Sequence, residues 1–479
     1  MVTSLTRLNL LKHFFNRIDN GSLFDGVDPE VYRVLRREVG EALYNLLLQD
    51  RPFLEKETGL AWPYQGLKER VSVLENIALQ GKTLFIRQQA QLFLALLPFP
   101  DQWRWLIRAE KDMGDASEIK ELLISEKKRI AAKIHKKSQE FKLRHFCQIL
   151  KRPNLPDEKG ILRIFSLPYL FADRRLLQRL NRLYVLYVEP PWGVLARHAW
   201  LRAFAQMADP IMFGVGGGED AAFLGTQAGV VITRLAHGDF LEEETVPLGQ
   251  KKQYDIVFNA SFDDMDRKRH SFMLDLLARP PLDHITALFI GRGSPSQVET
   301  FAGEVRQRGL EHRVAVLANI LRKEVPQQLA RCRIGVQASV HENACRSIYE
   351  CFRSDLPCVV TSSMAGFNFD LITPQTGRVV SDLDVSEAIL DAVHHPERFS
   401  PRQWFLANSG GRNSSLRLNQ EFKVLFAGLG YSWTEDIVPL GGSGATRYVD
   451  EAHYDAFHDE FEQLLEILGP LLPVRLSLE

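Results

Sequence analysis

Two glutamates, Glu342 and Glu350, stand with seven residues between them in Ser339 to Thr361 (SVHENACRSIYECFRSDLPCVVT). The stretch reads as strand end, loop, helix and strand. His341 and Glu342 form the loop. Ala344 to Arg353 fits a helix with Ile348, Cys351 and Phe352 on one apolar face, and Asp355-Leu356-Pro357 ends it. Cys358-Val359-Val360 is a buried strand by its β-branched run. A carboxylate accepts two hydrogen bonds at once and so suits vicinal hydroxyls. A strand-loop-helix passage aims free backbone N–H groups at the mouth of a parallel sheet, where anionic ligands bind. For either glutamate alone, a solvated charge at a helix start is the plainer alternative.

The elements around this stretch alternate. Asp255 to Asn259, Ile285 to Gly291, Val314 to Leu317 and Ile334 to Gln337 are strands. Ser271 to Ala278, Val298 to Arg308 and Val325 to Arg331 are helices. Thr376-Gly377-Arg378-Val379-Val380 and a helix at Val385 to Val393 close the unit. Such alternation predicts a doubly wound parallel sheet. A shorter α/β unit precedes it, with strands at Ile161 to Leu167, Leu183 to Val188, Pro210 to Val215 and Val230 to Leu235. Gly214 to Gly218 is either a close-approach site for phosphate or sugar, or a plain strand-to-helix turn. Phe240 to Lys252 reads as a linker. Residues 1–150 read mostly as helix. Their last part, Glu118 to Leu150, is one basic amphipathic pattern that could lie on anionic lipid or pack as a solvated helix. Lys151 to Gly160 reads as a polar linker.

The landmarks from Tyr254 to His394 are similar, in order, to the donor-binding half of retaining glycosyltransferases of the GT-B fold, family 4 (glycosyl transferases group 1). The resemblance implies an α/β chain with two Rossmann-like domains, each with a doubly wound parallel sheet, plus an N-terminal mainly helical region. The expected division is 1–150 helical region, 151–250 acceptor-side domain, 251–396 donor-binding domain and 397–479 helical extension. It implies that Glu350 holds the donor ribose and that Glu342 lies near the donor sugar. Lys268 matches the family's phosphate-binding lysine, so Glu342 and Lys268 are the candidate catalytic pair. The family's arginine position falls on Asp263, leaving Arg269, Arg267 or Arg346 to take its part. Asn343-Ala344-Cys345 replaces the usual Gly-Phe-Gly. Gly291 and Gly293 are expected beneath the base, and Asn343, Gly366 and Asn368 on donor-facing loops. His237, at the crossing between domains, is a candidate sugar contact; His198 is another. No cofactor or metal is implied: the nucleotide-sugar is a co-substrate, and the leaving diphosphate takes the acceptor's proton.

Composition bounds the partners. Lys and Arg total 59 against 60 for Asp and Glu, so no nucleic acid is expected to bind. Five cysteines without metal spacing read as reduced thiols in a cytoplasmic protein. No signal peptide or spanning run is apparent, and 118–150 is the candidate peripheral contact with the inner face of a membrane. The expected function is transfer of a sugar from a nucleotide-sugar to a glycan or lipid-linked acceptor, in bacterial surface polysaccharide synthesis. The competing readings are a nucleotide-sugar epimerase on the same fold and a catalytically degenerate binding or scaffold subunit.

Overall fold

The second half of the chain is built on buried parallel strands whose side chains are apolar on both faces. Every position of Ile256-Val257-Phe258 and of Cys358-Val359-Val360 is at most 1% exposed, as expected of a sheet covered on both sides. The structure, a computed structural model, describes residues 3–22, 50–59, 62–96, 102–113, 147–165, 174–189, 207–243, 246–442 and 446–468, with scattered positions between 38 and 46 and between 121 and 124. The N-terminal helices are α1 (Ser4–Asp19), α2 (Arg51–Glu57), α3 (Trp62–Gln80), α4 (Leu84–Leu96) and α5 (Gln102–Met113). They share one apolar core, which reaches the next unit through Phe223.

The first sheet comprises β1 (Cys147–Lys151), β2 (Gly160–Phe165), β3 (Tyr184–Glu189), β4 (Ile211–Gly214) and β5 (Val230–Thr233), in that spatial order. Strands β2 to β5 are parallel and β1 is antiparallel at the edge. Helices α6 (Arg174–Leu183) and α7 (Gly218–Gly225) lie in the chain between these strands and cover one face. The other face is covered by a helix from the far end of the chain, described below.

The second sheet comprises β6 (Tyr254–Asn259), β7 (Ala287–Gly291), β8 (Val314–Ala318), β9 (Cys332–Gln337), β10 (Cys358–Thr361) and β11 (Gly377–Val380). Its order is β11-β10-β9-β6-β7-β8, and every pair is parallel. The chain builds outward from β6 to β8, then returns to place β9 on the other side of β6. This is the doubly wound order, and ligands bind at such a reversal, beyond the carboxyl ends of the strands. The connecting helices are α8 (Met265–Lys268), α9 (His270–Leu277), α10 (Pro295–Gln307), α11 (Val325–Leu329), α12 (Arg346–Arg353) and α13 (Val385–His394). Helices α9, α10 and α13 cover one face. Helices α11 and α12 cover the other, joined by α14 (Pro401–Asn408).

After α14 the chain crosses back. Helix α15 (Gly411–Leu429) lays Leu418, Phe422 and Phe426 on Leu150, Ile161, Val185, Tyr187 and Met212, the open face of the first sheet. A small hairpin of β12 (Leu440–Gly442) and β13 (Thr446–Tyr448) follows, then α16 (Ala452–Ala456) and α17 (His458–Leu468). Phe461 and Leu464 of α17 join α6 and α7. The architecture is thus two Rossmann-like α/β halves, with an added helical region.

Two sequence readings give way here. The helical pattern assigned to Glu118–Leu150 ends in a strand, because Cys147 and Ile149 point into one core and Leu150 into the other. Most of that pattern, and His198, lie outside the described residues. Lys151 to Gly160 is the turn of the β1–β2 hairpin rather than a linker. Lys151 and Glu158 pair at 2.9 Å with side chains at most 1% exposed. Lys151 Nζ also donates to the Glu435 carbonyl, and Thr434 N–H donates to Glu158. The polar letters that suggested solvent are neutralised by one another.

Removing one member of a buried ion pair strands the other without solvent. Glu158→Ala should therefore cost about 3–5 kcal/mol in urea unfolding monitored by tryptophan fluorescence. A loss below about 1 kcal/mol would show that the pair is hydrated.

Candidate functional site

A cavity of about 590 Å³ opens at the reversal between β6 and β9. Its floor is the carboxyl end of β6, from Asn259 to Ser261, and of β7, from Ile290 to Arg292. Its side is the loop after β9 and the first turn of α12. The loops are sewn together by backbone bonds. Val340 N–H donates to the Arg267 carbonyl and Glu342 N–H to Ala365, while Ala365 N–H donates back to Val340. The passages after β6, β9 and β10 are thereby held in one register.

Glu342 is 9% exposed and sits between two cations. Lys268 Nζ bonds its Oε1, and Arg267 Nη1 donates to the same oxygen at 3.0 Å. Arg267 Nη1 also donates to the His341 carbonyl at 2.6 Å. Burial alone would raise the Glu342 carboxyl, but Lys268 and Arg267 hold it down at about 2. The site is therefore a preformed charge cluster with a carboxylate at its centre.

Glu350 faces the same cavity from α12, one residue after the buried Tyr349. Asn259 Nδ2 donates to Glu350 Oε2 at 2.8 Å, and Arg346 Nη2 to Oε1 at 2.8 Å. Each oxygen keeps accepting capacity for further donors. Cys345, which caps α12, holds φ at +31°, the left-handed region that glycine usually fills. The turn keeps a glycine-like conformation without the glycine, at a strain cost of order 1–2 kcal/mol.

The wall from the first half is Phe165 and His237, stacked at 4.3 Å between ring centroids. His237 rests on a buried network. Arg163 pairs with Glu189 at 2.7 Å and also donates to Gln148 at 2.9 Å and to the Gly441 carbonyl at 3.0 Å. Tyr187 donates to Glu189 at 2.9 Å. Arg163 Nη2 lies 3.3 Å from His237 Nδ1. Burial outweighs Glu189 and lowers the His237 value, leaving the ring neutral near pH 7.

The cavity gathers six of the expected residues: His237, Lys268, Gly291, Glu342, Arg346 and Glu350. Five others sit elsewhere. Arg269 adopts φ +61° and forks onto Asp382, with Nη2 at 2.7 Å, so Arg267 and not Arg269 joins Lys268. Gly293 is tied to Asn319 by its N–H at 3.1 Å. Asn343 and Asn368 bridge the halves: Asn343 Oδ1 accepts Gly216 N–H at 3.2 Å, and Asn368 Oδ1 accepts Arg234 Nη2 at 3.0 Å. Gly217 meets the Gly366 backbone so closely that it admits no Cβ, and Gly366, at φ +76°, admits none against the Glu342 carbonyl. Gly216 and Gly217 are thus the seam between the two halves.

Asn259, Arg292, Arg322, Phe165 and the Arg163–Glu189 pair were missed as site residues by the sequence reading, and Arg267 was one of three arginines it left open. A signal existed for some of them. Asn259 ends an apolar strand, and Arg163 and Glu189 are charges in strands otherwise apolar. Asp263, at the family's arginine position, instead accepts Ser294 N–H at 2.7 Å just before α10.

Residues 253–395 match the family model described as glycosyl transferases group 1. No curated protein matches. Among solved structures, a sucrose-phosphate synthase from Thermosynechococcus elongatus is 16% identical, with TM-score 0.43, covering 56% of this chain and 73% of its own. Anabaena HepE in complex with UDP is 16% identical, with TM-score 0.43, covering 56% and 78%. The S. aureus TarM mutant in complex with UDP is 14% identical, with TM-score 0.42, covering 51% of each chain. Likenesses this distant say nothing of donor or acceptor.

Asp239 connects the site to the crossing between the halves. It is buried, accepts Ala236 N–H at 2.8 Å and bonds the Tyr349 hydroxyl next to Glu350. Burial pushes its carboxyl up to about 6, above an unfolded value of about 3.9. Its neutral form stabilises the fold fully below about pH 4, and that contribution is lost as pH rises through about 6. The unfolding free energy of Asp239→Asn relative to wild type should therefore climb by about 2 kcal/mol between pH 4 and 7. A pH-independent difference would mean that Asp239 is charged throughout.

Proposed function

We propose that this chain transfers a sugar, with retention, from a nucleotide-sugar donor to a glycan or lipid-linked acceptor. The observation that carries the reading is one cavity, at the strand-order reversal, holding Glu350 and Asn259 at one end and the Lys268–Arg267–Glu342 cluster at the other. The first pair suits the vicinal hydroxyls of a ribose. Lys268 and Arg267, with the free amides at the start of α12, suit a diphosphate.

As the bond from the sugar to the leaving phosphate oxygen breaks, negative charge grows on the diphosphate. Lys268 and Arg267 stabilise it, and charge-assisted donors at a buried site are worth several kcal/mol in a transition state. The departing diphosphate takes the proton of the acceptor hydroxyl, which attacks the same face of the sugar. Glu342 holds the two cations in place before the donor arrives and meets the sugar once they turn to the phosphates. No metal is needed on this reading. The setting would be surface polysaccharide synthesis at the cytoplasmic face of a bacterial membrane, with the basic residues of 118–150 as the membrane contact. No described helix is long and apolar enough to cross a bilayer.

A binding subunit without turnover is the second reading, favoured by Asp263 and by the glycine-free turn at Cys345. Arg267 weakens it by supplying the cation that Asp263 does not. Calorimetric titration with UDP, GDP, ADP and dTDP tests the donor site. One nucleotide should bind in the micromolar range, and Glu350→Ala and Lys268→Ala should each weaken it about tenfold or more, ~1.4 kcal/mol. A folded wild type that binds none of the four would end the donor reading. Binding without transfer or sugar release would leave the subunit reading.

A further inference from the structure

The turn between α3 and α4 inverts the usual order of a surface loop. Its polar groups are spent on the turn itself. Gly81 N–H donates to the Ile77 carbonyl at 2.8 Å and ends α3. Ile86 N–H donates to the Thr83 hydroxyl at 3.2 Å, which caps α4. Arg87 Nη1 reaches back to the Gly81 carbonyl at 2.8 Å. The apolar side chains face outward instead: Leu79 is 51% exposed, Leu84 58% and Phe85 48%. Three large apolar side chains so close in the chain, on a capped turn, form a fixed patch and not a frayed end.

The charges beside them favour one sign. Asn76 to Pro100 contains no Asp or Glu. Glu75, one turn before Leu79, is buried. The end of α5 lies alongside, since Gln88 Nε2 donates to the Asp112 carbonyl at 2.6 Å and Gln91 Nε2 to Asp112 Oδ2 at 3.1 Å. Arg108 offsets that carboxylate at 3.7 Å, and Glu110 has a partner of its own. Lys82 and Lys111 are exposed and, among the described residues, make no ion pair.

The shape selects the kind of partner. A stable protein interface draws about 800 Å² from each side. Three half-exposed side chains at the tip of a helical hairpin fall well short of that. A bilayer needs no matching surface: the apolar chains enter the acyl boundary while ammonium groups stay among anionic phosphates.

We propose that the α3–α4 turn is a lipid-inserting tip. Leu79, Leu84 and Phe85 enter the interface of an anionic bilayer, and Lys82 and Lys111 contact its headgroups. This contact is separate from the basic residues of 118–150, and it does not depend on what the cavity binds.

The test floats the full chain with vesicles of phosphatidylcholine, alone or with about one-third phosphatidylglycerol. Wild type should rise with the mixed vesicles. Salt at about 0.5 M should weaken that binding without abolishing it, because the apolar part is not screened. Leu84→Ser/Phe85→Ser should weaken it about tenfold or more, ~1.4 kcal/mol, at low and high salt alike. Lys82→Glu should weaken it several-fold at low salt only. These positions are exposed, so the urea midpoint of each variant should stay at the wild-type value. Lys127→Glu/Lys128→Glu/Arg129→Glu is the comparison. Binding lost in that variant but kept in Leu84→Ser/Phe85→Ser assigns the membrane to the basic stretch and overturns the tip. A wild type that ignores both kinds of vesicle overturns it as well. So does a wild type that sediments as a dimer and becomes monomeric in Leu84→Ser/Phe85→Ser, which gives the tip to a second copy of this chain. Nucleotide titration of the same samples reads the donor site separately, so the two readings fail independently.

Discussion

The second half is organised by one constraint: β9 lies beside β6 rather than beyond β8. The two loops leaving that pair of strands part in opposite directions, and the gap between them is the cavity. Apart from Arg292 and Arg322, which follow β7 and β8, the charges of the site are the residues the chain places just past those two strand ends. Arg267 and Lys268 come from the β6 side, and Glu342, Arg346 and Glu350 from the β9 side. The Glu342 clasp joins the two sides across the gap. A single carboxylate accepting from two cations holds three functional side chains at little entropic cost to any ligand that replaces it. The first half contributes much less to this cavity. Its visible part is a flat aromatic wall, Phe165 on His237, propped from behind by the Arg163–Glu189 pair.

The degree to which this was readable in the sequence follows burial. Parallel strands covered on both faces appear as unbroken apolar runs, so the second half could be parsed almost element by element, and the family resemblance then singled out Glu342, Glu350 and Lys268 within it. The choice between Arg267 and Arg269 was not readable. The left-handed backbone at Arg269 sends it to Asp382, more than a hundred residues away in the chain. The β1–β2 hairpin was hidden for a related reason. Lys151 and Glu158 look like solvent-facing residues until they are seen to neutralise each other under the 433–435 segment. Arg163 and Glu189 escaped notice because a charge inside a strand has no sequence mark that tells a site support from an edge residue.

The glycines tell a similar story. Gly214 to Gly218 could be read as a phosphate cradle or as a turn. What the cluster does is let one half approach the backbone of the other, at Asn343 and Gly366. Cys345 shows the reverse case: a residue that departs from the family pattern while the backbone keeps the pattern's shape. Motif letters and motif geometry are separable, and the geometry is what meets a ligand.

The chain passes between the halves twice, once after Asp239 and once after Asn408, and the two passages are bonded side by side. Gly410 N–H and the Ser409 and Ser414 hydroxyls all donate to the Asp239 carbonyl, and Arg412 N–H donates to Glu243. A single tether would let one half swivel freely about the other. Two parallel tethers behave like the paired pins of a door. They restrain twist of one half against the other and tie the loop that carries His237 to the start of the returning helix.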